Sequence, residues 1–118
     1  MSIVDELLSE PAVIAAGEYT YKGEIATYKG DMNAELADIM AVMCHATTTN
    51  VAMESDMLAT RSGHPQAAAA RGWSLRGPKY SLCVVADVFC VLRNDPGAFN
   101  EIAALMRQRL ADRSMESV

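Results

Sequence analysis

The sequence predicts an α+β fold: five strands in two antiparallel groups, with helices before, between and after them. Three observations carry this. Two short strand candidates flank a glycine turn near residue 23, which reads as a hairpin. A long stretch from residue 34 repeats apolar residues at helical spacing. Residues 80–92 form the most apolar segment, dense in valine and interrupted only by Ser81 and Asp87, which suits two central strands. At 118 residues and 51% apolar composition the chain fits one domain with a packed core. That domain is expected over residues 1–113, with a frayed tail at 114–118.

The elements follow in order. Ser2 ahead of Asp5 and Glu6 resembles a capping box, and Ile3, Val4, Leu7 and Leu8 share one helical face before Pro11 ends the segment. Residues 12–19 suit a buried strand, Tyr21-Lys22-Gly23 the turn, and residues 24–29 the return strand. Asp31 or Asn33 can cap the middle helix, whose apolar pattern runs through Leu36, Ile39, Met40, Met43, Val51 and Leu58. The run Thr47-Thr48-Thr49-Asn50 has poor helix propensity, so a kink or break is expected there, and Gly63-His64-Pro65 stops the helix.

Residues 71–76 alternate, with Trp73 and Leu75 on one face and Ser74 and Arg76 on the other. Gly77-Pro78 turns the chain into the two central strands, 80–85 and 88–92, around Ala86-Asp87. Asn94-Asp95-Pro96 offers a cap followed by proline at the first helical position. Phe99, Ile102, Ala103, Leu105, Met106 and Leu110 form the stripe of a last helix, with Arg107, Arg109 and Arg113 at its C-terminal end.

Composition excludes several classes. The net charge of −5 is wrong for a nucleic-acid footprint, which wants a basic face. No apolar run approaches the roughly 20 residues a membrane span needs. The N-terminus lacks a basic leader, so the expected compartment is the cytoplasm. Charge is uneven: residues 1–60 hold ten acids and two lysines, residues 61–118 five acids and eight bases. Arg71, Arg76, Lys79 and Arg93 could therefore steer an acidic partner to strand ends in the second half.

Against this background, Val4-Asp5-Glu6-Leu7-Leu8, Pro11-Ala12-Val13-Ile14-Ala15-Ala16-Gly17-Glu18, Tyr28-Lys29-Gly30 and Tyr80-Ser81-Leu82-Cys83-Val84 carry a resemblance. The chain resembles the roadblock / dynein light-chain family, which has a profilin-like fold, and within it a small bacterial roadblock-like family of unknown function. The resemblance implies a five-stranded antiparallel sheet with two terminal helices on one face and a long middle helix on the other. It implies a homodimer joined through the middle helix and the edge strand that holds Trp73. It also implies a non-enzymatic scaffold or regulator of another protein, with a small Ras-like GTPase or a metabolic complex as partner, and no cofactor. The chain carries no G-x-x-x-x-G-K-[ST] of its own.

The chemistry-bearing residues are few. Trp73, Leu75, Arg71 and Arg76 on an edge strand, with Met40 and Met43 on the neighbouring helix, are the interface candidates; tryptophan and arginine are enriched at interface hot spots and methionine fills irregular gaps. Cys44, Cys83 and Cys90 have no C-x-x-C spacing, and with His45 they match no zinc pattern. They read as buried thiols in a reducing compartment. The alternative is a redox pair at Cys83 and Cys90, as part of a small-molecule, metal or redox sensor. A two-residue loop at Ala86-Asp87 would place these two cysteines directly opposite, although Ala-Asp is a poor primed-turn dipeptide and a longer loop would separate them.

Overall fold

Residues 2–62 and 72–111 are described by the structure, a computed structural model. The eight elements run α1 (Ile3–Leu8), β1 (Val13–Tyr19), β2 (Ile25–Gly30), α2 (Ala34–Ser62), β3 (Gly72–Arg76), β4 (Tyr80–Val85), β5 (Val88–Arg93) and α3 (Ala98–Arg109). The strands form one sheet in the order β2-β1-β5-β4-β3, and every neighbouring pair is antiparallel.

The β4–β5 hairpin sets the centre of that sheet. Its loop is the two residues Ala86 and Asp87, and Val85 pairs Val88, Val84 pairs Phe89, and Cys83 pairs Cys90. The longer loop that Ala-Asp suggested does not form. Ala86 instead accepts a left-handed backbone at φ 53°, a conformation costing roughly 1 kcal/mol for alanine. The Tyr19 hydroxyl donates to the Ala86 carbonyl at 3.0 Å and helps hold the turn in place. Gly23, at φ 82°, closes the first hairpin as its position in Tyr21-Lys22-Gly23 predicts.

Alternation along the central strands sends side chains to two separate cores. Val85, Val88, Cys90 and Leu92 meet Val4 and Leu7 of α1 and Ile102 and Met106 of α3 on one face. Leu82, Val84 and Phe89 meet Met40, Ala41 and Cys44 of α2 on the other. The two terminal helices therefore share one face and the middle helix takes the other, as the resemblance implies. Gly17 lies on β1 where that strand crosses Phe89: a Cβ there would come within 2.5 Å of the ring and 2.9 Å of the Thr27 carbonyl.

Local capping follows the sequence at two helices and departs at the third. The Ser2 hydroxyl accepts the Asp5 amide at 3.2 Å, and Asn33 takes the cap of α2 by accepting the Leu36 amide at 2.8 Å. At α3 the expected Asn94-Asp95-Pro96 start is displaced, and the helix begins after Gly97, which sits at φ 76° without a side-chain cap. The reason is competition for Asn94. Its amide donates to the Gly77 carbonyl at 2.6 Å and its oxygen accepts from Ser81 at 2.5 Å, stitching the β3–β4 turn to the end of β5.

Two expectations for α2 also change. The threonine run produces no break, and the helix is continuous over 29 residues. Nor is the stripe through Leu36, Ile39, Met43 and Leu58 the buried one: those four side chains are exposed, and Ala37, Met40, Ala41, Cys44 and Thr48 face the sheet. The helix is apolar on two sides, so periodicity alone could not say which side the sheet takes. Gly63-His64-Pro65, Arg71, Arg113 and the tail 114–118 lie outside the described residues.

Candidate functional site

The unburied apolar side of α2 has its own order. Leu36, Ile39, Met43, Ala46, Asn50, Met53 and Met57 follow one another at alternating spacings of three and four, and all seven are exposed. That spacing draws a continuous seam along one flank of a helix, the pattern by which one helix packs against another. The seam lies on the flank toward β3. Between α2 and the sheet edge Met40, Met43, Leu75, Tyr80, Leu82 and Val91 line an open and almost wholly apolar groove of about 260 Å³. Ile39 is 55% exposed, Leu75 60% and Tyr80 53%, values far from those of a covered core. The patch reaches β3 itself, the sheet's terminal strand, whose outer backbone groups have no further strand to pair with among the described residues.

The interface candidates divide across this geometry. Met40, Met43 and Leu75 come together in the groove, with Met40 the most buried of the three. Trp73 lies on the same face but is tied inward: its indole Nε1–H donates to the Thr48 hydroxyl at 2.7 Å. Arg76 points to the opposite face, where its guanidinium stacks 4.2 Å over the Phe99 ring of α3. Arg71 lies outside the described residues. Of the basic residues considered for an acidic partner, Arg93 is engaged within the chain, donating to the Pro11 carbonyl at 2.6 Å and approaching Asp95 at 3.5 Å.

Thr48 is the residue that reading the sequence passed over. Tyr19 spends its one proton on the Ala86 carbonyl, so the Thr48 hydroxyl donates to the Tyr19 oxygen at 3.0 Å while accepting from Trp73. A single relay thus runs from β3 through α2 to β1 and the β4–β5 turn. Burial pushes the Tyr19 phenol up to about 12, and the Thr48 hydrogen bond pulls against that rise. The signal was present in the threonine run, since a β-branched polar residue facing a sheet needs a buried partner.

The cysteines separate in the same way. Cys44 belongs to the α2 face, while Cys83 and Cys90 are side by side on the α1/α3 face as directly opposed residues of β4 and β5. Cys44 and His45 therefore do not converge with the strand pair, and among the described residues no group of three or more His, Cys, Asp or Glu could hold a metal ion. All three thiols are buried and free. Burial pushes Cys44 and Cys90 up to about 12 and Cys83 up to about 11, with the Arg107 charge drawing Cys83 downward.

This gives a testable expectation. At pH 8 a thiol with a pKa near 11 is ionised to only about one part in a thousand, so iodoacetamide should label the native protein far more slowly than the urea-unfolded chain. Mass mapping that found Cys83 and Cys90 rapidly joined under mild oxidation would contradict it and favour the redox pair. Because folding raises these pKa values above the unfolded 9.0, their contribution to stability is complete below pH 9 and declines as pH rises toward 11–12.

Known folds place the architecture. A roadblock/LC7 domain from Streptomyces avermitilis superposes with a TM-score of 0.63 at 13% identity, covering 92% of this chain and 91% of that one. The gliding protein MglB from Thermus thermophilus gives 0.62 at 20% identity, over 92% and 80% of the respective chains. An MglB structure described with a tetrameric arrangement gives 0.65 at 18% identity, over 95% and 82%. No curated protein matches the chain. The roadblock-like fold expected from the sequence is thus the fold observed. In sequence, the family described as "Uncharacterized conserved protein (DUF2173)" matches residues 3–108, and the chain belongs to that family.

Proposed function

We propose that the protein is a homodimeric, non-enzymatic scaffold or regulator that joins its two copies through the outer seam of α2 and the edge strand β3. The observation that carries this is the exposed run Leu36, Ile39, Met43, Met53 and Met57, continuous with Leu75 and Tyr80 at the sheet edge. An apolar surface of this extent on a small domain marks an interaction site. A second copy is the occupant that suits it, because a two-fold axis brings each seam against its mate and lets two edge strands meet. The roadblock fold supports the reading, as does the tetrameric arrangement described for one MglB structure.

The partner class follows from the same resemblance: a small GTPase recognised by the assembled dimer, in which this chain would act as platform and not as hydrolase. No helix among the described residues is long and apolar enough to cross a membrane. Light scattering with the purified chain tests the dimer. It should return about twice the 12.7 kDa chain mass at micromolar concentration. A chain that stays monomeric at high micromolar concentration would refute the assignment.

A further inference from the structure

The opposite face of the sheet carries a second opening, across β3 from the α2 groove. There α3 packs on β4 and β5, and α1 on β1 and β2. The three β3 residues that point to that face, Gly72, Ser74 and Arg76, are exposed. Between this bare strand and the flank of α3 lies a cleft of about 510 Å³, lined by Ser74, Cys83, Val85, Phe99, Ala103 and Arg107 together with adjoining β3 and β4 backbone. Its size is in the range of roughly 300–1,000 Å³ typical of small-molecule sites.

The chemistry of the lining is graded along its length. Phe99, Ala103 and Arg107 recur every four residues, so they form one ridge of α3, spanning roughly 12 Å from ring to guanidinium attachment. The middle of the cleft, at Ala103, Val85 and the Cys83 thiol, is apolar and uncharged. Arg107 stands at one end and makes no ion pair among the described residues, in contrast to Arg109, which holds Glu6 at 2.8 Å. At the other end the Arg76 guanidinium is held over the Phe99 ring. Among the described residues no carboxylate lines the cleft. The cleft is thus apolar within, with the Arg107 guanidinium in its lining, the Arg76 guanidinium beside Phe99 and no acidic group among its described lining residues, which disfavours cations and metals and suits an anion with an apolar body.

From this we infer that the cleft between β3 and α3 is a binding site for a small amphipathic organic anion, a carboxylate or sulfonate whose head group is held by Arg107 and whose apolar body lies along Ala103, Val85 and Phe99. A guanidinium and a carboxylate form two parallel hydrogen bonds, which fixes the orientation of such a ligand as well as its affinity. The site opens on the α3 face of the sheet and the apolar α2 groove on the other, with β3 the strand that borders both.

Calorimetric titration of the full chain with decanoate, and with decyltrimethylammonium as the chain-matched cation, tests this. Saturable decanoate binding is expected, with the cation at least about tenfold weaker because the charged group in the described lining is the Arg107 guanidinium. Arg107→Gln, at an exposed helical position, should weaken decanoate by about tenfold or more, the worth of one charge-assisted pair. Ser74→Phe, on the exposed edge strand, should block the cleft and abolish binding while far-ultraviolet dichroism stays native. Decanoate that fails to bind at millimolar concentration overturns the proposal. So does binding that neither variant alters, or binding that Leu75→Lys on the opposite face removes.

Discussion

Thr48→Val is expected to destabilise the protein by about 2–4 kcal/mol, more than any other single change at the helix–sheet junction that leaves volume intact. The substitution keeps shape and β-branching, so packing and helix propensity barely change. What is lost is the hydroxyl at the centre of the relay: the Trp73 indole loses its acceptor and the Tyr19 oxygen loses its donor. Each hydrogen bond contributes about 1 kcal/mol net, and leaving a part-buried donor unpaired adds about 1–3 kcal/mol. Against a total stability of about 5–15 kcal/mol this is a large share, read as a Tm lowered by roughly 10 °C. Thr48→Ser, which keeps the hydroxyl, should lose no more than the roughly 1 kcal/mol of a buried methyl group. The double variant Thr48→Val with Trp73→Phe should cost less than the sum of its parts, because removing the indole donor removes the unsatisfied group. Thermal melts at a fixed protein concentration decide it, and a Thr48→Val loss below about 0.5 kcal/mol would show that water replaces the hydroxyl.

The relay also marks where sequence reasoning reaches its limit. The two hairpins were legible because their determinants are local: Gly23 at a positive φ, and alternation in residues 80–92 around a two-residue loop that pairs Cys83 with Cys90; the β1–β5 pairing that joins them is long-range and leaves no local signal. The loop composition argued for a longer turn, and tertiary structure overrode it. The Tyr19 hydroxyl, 67 residues away in sequence, bonds the Ala86 carbonyl and helps hold a backbone that alanine disfavours locally. The start of α3 moved for the same kind of reason, because Asn94 is recruited to Gly77 and Ser81 and is no longer available as a cap.

The site was half legible. Met40, Met43 and Leu75 could be named because methionine and an edge-strand leucine are conspicuous in the sequence. That the seam continues through Leu36, Ile39, Met53 and Met57 could not be separated from the core, since α2 is apolar on both flanks and only the sheet shows which flank is covered. Arg76 lies on the same strand as Trp73 and Leu75, and the alternation legible in residues 71–76 already set it on the other face, where it meets Phe99 of α3 and stands apart from the groove.

The proposed dimer seam yields the second large effect: if it joins the copies, the double variant Met43→Lys/Leu75→Lys should leave a folded monomer. Both side chains line the same groove, and both are substantially exposed in the isolated chain, so lysine there leaves each copy's core untouched. In the dimer each would be buried, and a large apolar side chain contributes about 1.5–3 kcal/mol on full burial. A two-fold axis counts every substitution twice, so even partial burial predicts a loss of several kcal/mol and a dissociation constant raised by about 10³-fold or more. Like charges facing each other across the seam add to that loss and make it depend on salt. Val42→Lys is the matched control. Val42 is also exposed on α2, but it lines the flank toward β2 beside Asp38, away from the groove. Sedimentation velocity should show the double variant at monomer mass with a native far-ultraviolet spectrum, and Val42→Lys still dimeric. If both assemble like the parent chain, the seam on α2 and β3 is not what holds the copies together. If Val42→Lys alone dissociates, the contact lies on the β2 flank.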